Sequence, residues 1–240
     1  KKYRRYTYFF KKENLKLYMQ KNILRLGAPI AVQQTLECFA FSMITIMMGW
    51  FSTVVLASYQ IALTFFTMTF QISCGVASAT TILVSHSYGR KDYDAIREQA
   101  KTGVGLSVAT MTVFGTIFIL FPDFITSMFT DDIEVIKQAA PLFLIAGIFQ
   151  VIDGTQVTLL GALRGMNDVN KPMKYSLFGY ILIALPLAYL LGFVFKLGPC
   201  GTFSGIAIGL LVSAILYKKR LKTIIINKKI NIMEFQANEG

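Results

Sequence analysis

The sequence predicts an all-α, polytopic membrane protein with six transmembrane helices. Three observations predict it. Apolar residues make up 54% of the chain and charged residues 15%, where soluble domains carry about 25%. Uncharged runs recur along the chain, each long enough at about 1.5 Å per residue to cross a hydrocarbon core of ~30 Å. Lys and Arg gather in the segments between those runs, on every second connection.

Residues 1–25 (KKYRRYTYFFKKENLKLYMQKNILR) are basic and aromatic. They read as a cytoplasmic linker kept positive by topology, able also to rest on an anionic membrane surface. The chain opens on Lys1 with no signal peptide before the first apolar run, so it is expected to begin inside a longer parent. Span one is Gly27–Phe51, with Pro29 placed in its first turn. The short turn Ser52-Thr53 then makes a helical hairpin. Span two, Val54–Tyr88, is longer than a membrane requires and should tilt or protrude. Its polar residues Gln60, Thr64, Thr67, Gln71, Gly75 and Ser78 fall three or four apart, on one face. They are either hydrogen-bonding glue between helices or the lining of a wet cavity.

The charged loop Gly89–Glu98 leads to span three, Ala100–Phe121. An acidic connection follows, in which Asp131-Asp132 suits a helix N-terminus. Span four is Ala139–Gly161, and span five is Tyr175–Phe195 with Pro186 as a kink. Span six, Pro199–Tyr217, carries Gly201, Gly205, Gly209 and Ser213 at four-residue spacing, a stripe that lets another helix approach closely. The bundle is set at 26–221 and a basic, then polar, cytoplasmic tail at 222–240. Only Lys137 and Lys196 fall on the side opposite the other basic residues, so the positive-inside rule puts both termini in the cytoplasm of a multi-pass plasma-membrane protein.

Two acids stand where lipid should forbid them. Glu37 lies mid-span, and a carboxylate at that depth costs at least about 2.5 kcal/mol on insertion scales, so it should face protein or water and carry a task. Gln33 and Gln34 sit one turn earlier. Asp153 is the second, with Gln150 and Gln156 three residues to either side and on the same face. Measured from Arg25 and Arg164, the acids are about 18 and about 16 Å deep, so they sit at one level in different helices. If spans one and four face the same hollow, the acids form one anionic chamber. Such groups can take up a proton, because desolvation favours the neutral form of a carboxyl group. They can also ligate Na⁺ with amide and carbonyl oxygens, or hold a cationic substrate. Protonated, hydrogen-bonded structural acids are the plainer alternative.

The net charge of +11 does not signal a nucleic-acid partner, since the cations flank apolar runs instead of forming one face. Cys38, Cys74 and Cys200 have no pairing or metal-ligand spacing and read as packing residues. His86 reads as a polar end-of-helix residue, with a proton relay as the sharper option. Arg164 is a topology charge by default and could instead pair with Asp168 or a lipid phosphate. Trp50 and Tyr189 read as interface anchors. No Walker loop, zinc spacing or nucleophile elbow supports an enzyme or an ATP-driven pump.

Three stretches taken together resemble the multidrug and toxic compound extrusion (MATE) family: GAPIAVQQTLE (27–37), the long run from Ala57 to Glu98, and QVIDGTQVTLLGALRGMNDVNKP (150–172). The Leu-Arg-Gly tripeptide with Asp168 and Pro172 is the most specific part. The resemblance implies one six-helix lobe, the C-terminal one, of a twelve-helix transporter whose partner is an N-terminal six-helix lobe of the same parent. It implies Glu37 and Asp153 as acids for Na⁺ or H⁺ coupling and for cationic substrates. Gln33, Gln34, Thr67, Gln71, Phe149 and Gln150 would line the cleft. Phe149 departs from members that carry Tyr there, which removes a hydroxyl from any cation-ligand set. The function expected is efflux of organic, cationic compounds by a membrane antiporter embedded in lipid, without a cofactor beyond the coupling ion. The alternatives are a lipid-linked glycan flippase of the same superfamily and a non-transporting structural subunit.

Overall fold

The computed structural model describes the backbone of residues 17–238 and the side chains of 18–228. The first sixteen residues of the expected linker, and the last two of the tail, lie outside the described residues. The chain forms α1 (Leu17–Gly49), α2 (Thr53–Gly89), α3 (Tyr93–Leu120), the short α4 (Pro122–Ser127), α5 (Ile133–Gly165), α6 (Asn170–Val194) and α7 (Gly198–Asn238). Six of these are long and apolar enough to cross a membrane, and no strand occurs among the described residues.

Side-chain caps fix several helix starts. Ser52 accepts from the Val55 amide at 3.1 Å, Asp92 from Ala95 at 3.0 Å, and Asp132 from Glu134 at 2.9 Å. Three reversals place a non-glycine residue in the left-handed region: Lys91 (φ 60°), Asn167 (φ 59°) and Lys196 (φ 57°).

The helices outrun the apolar stretches. α1 is already helical at Leu17, so the expected boundary at 25/26 falls inside a continuous helix and Pro29 lies in its interior, not its first turn. α7 continues through the segment expected as a tail. Hydropathy marks the lipid-spanning part of a helix, while backbone hydrogen bonding continues past it into polar sequence. In α6, wide i→i+5 turns occupy Leu177–Ala184 and Leu190–Val194 on either side of a normal turn holding Pro186. The proline lacks an N–H, and the helix absorbs that loss by widening.

α5 is the axis of the lobe, packed by α2, α3 and α7. Glycines allow the closest approaches. A Cβ on Gly161 would lie 2.6 Å from the Ala77 carbonyl oxygen of α2, and one on Gly115 of α3 would lie 2.4 Å from the Gly147 carbonyl oxygen. The stripe on α7 does the same against α6: at Gly205 an added Cβ would fall 2.3 Å from the Ala188 backbone.

The buried apolar residues form two separate clusters. One gathers Ala40, Ile44, Tyr59, Phe66, Phe143 and Phe149; the other gathers Val84, Ile96, Leu160, Leu163, Tyr217 and Leu221. Asp153 falls between them along α5.

Candidate functional site

The layer between the two clusters is polar. α1 brings Glu37 to it, partly buried, and α5 brings Asp153, which is 3% exposed. The two carboxylates lie within electrostatic reach of each other. The Tyr180 hydroxyl of α6 sits beside Glu37, and the Arg164 guanidinium lies within electrostatic reach of it.

Two strands of hydrogen bonds surround the acids. In the first, Gln156 Nε2 donates to the Tyr180 hydroxyl at 2.9 Å. In the second, Arg164 Nη2 donates to Gln33 Oε1 at 3.3 Å, and Gln33 Nε2 donates to the Tyr217 hydroxyl at 3.1 Å. Tyr217 in turn shares a hydrogen bond with Ser176 Oγ at 2.5 Å. Buried tyrosines need a partner for the hydroxyl, and here the glutamines supply it.

Gln150 belongs to a different wall. Its Nε2 donates to Thr69 Oγ1 on α2 and to Met111 Sδ on α3 at 3.5 Å. Gln150 and Gln156 therefore flank Asp153 but diverge, instead of sharing one face as the spacing suggested. Gln150 Oε1 and Arg164 Nε are buried without a hydrogen-bond partner among the described residues. No hydrogen bond from a described residue reaches the Asp153 carboxylate. The arrangement is anionic and poor in donors at Asp153, and rich in amide and hydroxyl oxygens around Glu37. A proton or a small hard cation would complete it; both favour oxygen partners in a dry setting. Among the described residues no three His, Cys, Asp or Glu side chains come together, so neutral oxygens would have to supply most ligands of a bound cation.

The other expected lining residues are distributed unevenly. Gln33 and Gln150 are buried within the lobe, whereas Gln34, Thr67 and Gln71 are exposed. The whole α2 stripe, Gln60, Thr64, Thr67, Gln71, Gly75 and Ser78, is exposed, so these residues do not glue this lobe together. Buried Ser58 and Ser73 and half-buried Thr81 do that instead, through Val135 O (2.9 Å), Ser107 Oγ (3.1 Å) and Gly161 O (2.9 Å). Phe149 is not a cleft-wall residue in this lobe: it is 1% exposed and packs on Phe66 and Phe203, with ring centroids 5.1 and 5.8 Å apart.

Arg164 does not pair with Asp168. Asp168 pairs with Arg220, Oδ2 to Nε at 2.7 Å, which frees Arg164 to turn inward. Tyr180, Tyr217 and Ser176 were not singled out from the sequence. For Tyr180 the available signal was a tyrosine within an apolar run, which announces a buried hydroxyl in search of a partner; Tyr217, at the end of its run beside Lys218, carried no such signal. The three cysteines are free, with Cys38 exposed, and His86 is exposed.

The fold and site define a polytopic helical lobe with two acids in a polar layer between apolar clusters, and comparison with known proteins names its family. The chain belongs to the MatE family, whose model matches residues 29–190. It is 35% identical over 204 residues to "Probable multidrug resistance protein NorM" of Xylella fastidiosa (strain 9a5c), covering 85% of this chain and 44% of that one. The protein of that name from Bacillus anthracis is 33% identical over 201 residues, covering 84% and 44%. The fold is similar to the Vibrio cholerae MATE transporter VcmN in its bent form, with a TM-score of 0.81 at 13% identity over 92% of this chain and 50% of that one. It is also similar to the eukaryotic MATE transporter AtDTX14, with a TM-score of 0.78 at 20% identity over 88% and 49%. The chain thus spans about half the length of the relatives it matches.

Proposed function

We propose that this chain is the C-terminal six-helix lobe of a secondary active multidrug efflux antiporter, which exports organic cations in exchange for Na⁺ or H⁺. The observation that carries the reading is the meeting of Glu37 and Asp153, from two helices, in one polar layer between apolar clusters. Two carboxylates within electrostatic reach of each other in a poorly solvated place repel unless a cation or proton offsets their charge. Binding the coupling ion and binding a cationic substrate therefore draw on the same charge, and one displaces the other as access alternates. The exposed polar stripe of α2, with Gln34, would face the N-terminal six-helix lobe of the same parent across a wet cleft. The protein would sit in the plasma membrane with both termini cytoplasmic. The naming of its relatives as probable multidrug resistance proteins supports the substrate class.

The test is substrate efflux by the full-length protein in lipid vesicles under an imposed Na⁺ or pH gradient. One gradient should drive wild-type efflux, and Glu37→Gln and Asp153→Asn should each abolish the driven component while expression and Tm are kept. Gradient-driven efflux at the wild-type rate in both variants defeats the proposal.

A further inference from the structure

A second feature lies on the opposite side of α5. Thr155 is two residues past Asp153, so the two side chains leave the helix about 200° apart. Thr155 and Leu159 floor a groove of about 580 Å³ that runs between α3 and α7. None of its lining residues takes part in the polar layer around the acids.

The groove has two chemistries. Ala100 and Val104 of α3 face it with Leu221 and Ile225 of α7, and these pairs, each one helical turn apart, make an apolar trough. Arg97 and Lys101 on α3, and Lys218 and Lys222 on α7, line it as well, again as pairs one turn apart, and all four are exposed. Asp94 is the acid among the described lining residues. Two basic walls thus flank an apolar floor, at the ends of α3 and α7 that the charge distribution assigns to the cytoplasmic side.

A small dissolved anion would use the cations and leave the trough idle. A neutral apolar compound would use the trough and gain nothing from four positive charges. The molecule that uses both is an amphipathic anion, and in a membrane-embedded helix pair that molecule is a phospholipid of the bilayer itself. We propose that the α3–α7 groove is a binding site for an anionic phospholipid of the cytoplasmic leaflet. Its phosphate is held between the Arg97/Lys101 and Lys218/Lys222 pairs and an acyl chain lies along Ala100, Val104 and Leu159. Long basic side chains suit this role, because their stems cover apolar surface while their heads reach the phosphate level. The site is independent of the acids' role and rests only on the chain's placement in a membrane.

The experiment uses the full-length protein, delipidated in neutral detergent. It is titrated with phosphatidylglycerol, with phosphatidylcholine of the same acyl chains, and with glycerol phosphate, and bound lipid is counted by native mass spectrometry. Phosphatidylglycerol should be retained over phosphatidylcholine, and glycerol phosphate should not displace it. Lys101→Gln with Lys222→Gln should weaken retention about tenfold or more, given roughly 1 kcal/mol per basic residue near an anionic surface. Lys171→Gln with Lys174→Gln, exposed cations outside the groove, should leave retention unchanged. Equal retention of the two lipids, displacement by glycerol phosphate, or wild-type retention in the groove variant would each overturn the proposal. Should the groove variant fail to fold, the comparison of ligands on the wild-type protein still decides.

Discussion

Arg164, near the C-terminal end of α5, reaches across to α1 and donates through Nη2 to Gln33 Oε1 at 3.3 Å. That bond sets one edge of the polar layer, because the same Gln33 side chain carries the Tyr217 hydroxyl on its other end. It also keeps a guanidinium in the field of Glu37, one turn further along α1.

Arg164→Gln should therefore disturb more than surface charge. It leaves Gln33 Oε1 short of a donor in a buried position, a loss of about 1–3 kcal/mol. It also removes the positive neighbour of Glu37. The expected outcome is a lowered Tm together with a changed pH profile of efflux. A variant with both quantities at wild-type values would return Arg164 to the status of a topology charge.

Phe149 distinguishes core from cleft. Packed between Phe66 and Phe203, its truncation in Phe149→Ala should cost about 3–5 kcal/mol, as large-to-small changes in aromatic cores do. Thermal unfolding in lipid nanodiscs is the measurement. A cleft-wall phenylalanine would show a shifted substrate profile with Tm nearly unchanged.

Gly205 and Gly105 make a matched pair. An added methyl at Gly205 meets the Ala188 main chain at 2.3 Å, whereas at Gly105 it meets nothing within 4 Å. Gly205→Ala should be destabilising by about 1–3 kcal/mol or more, since backbone cannot step aside as a side chain can. Gly105→Ala should be neutral or slightly stabilising through helix propensity. Equal Tm values for the two would show that α6 and α7 are not in main-chain contact.

Thr67 and Gln71 stand on the exposed face of α2 and make no hydrogen bond to another helix among the described residues. Gln71→Leu and Thr67→Val should accordingly spare Tm in the full-length protein and raise KM for organic cations, with a smaller effect on the maximal rate. A fall in Tm with unchanged KM would mark the stripe as a packed surface instead of a cleft wall.

Much of this was legible in the sequence because lipid imposes such coarse rules. The six spans follow from uncharged length, and the depth of Glu37 and Asp153 follows from counting to the nearest cation. The α7 stripe was legible because four small residues in one register have few other uses. Helix extent was less so: α1 is already helical at Leu17 and α7 is still helical at Asn238, both in polar sequence, where hydropathy carries no information about backbone hydrogen bonding. The short α4 within the acidic connection has too few residues for a periodic pattern. The partners of Asp168 and Arg164 depend on which helices adjoin, and in one sequence Arg220 is as plausible a partner as any other cation. Phe149 was placed by analogy with relatives, whereas its burial rests on Phe66 and Phe203 from other helices, an adjacency that one sequence does not display.

The main-chain contact at Gly205 reaches beyond stability. Two helices touching without side chains between them have no compressible layer to absorb a shear, so α6 and α7 behave as one laminated slat. Tyr180 and Tyr217 sit on its two plies, so a displacement that moves one hydroxyl carries the other with it.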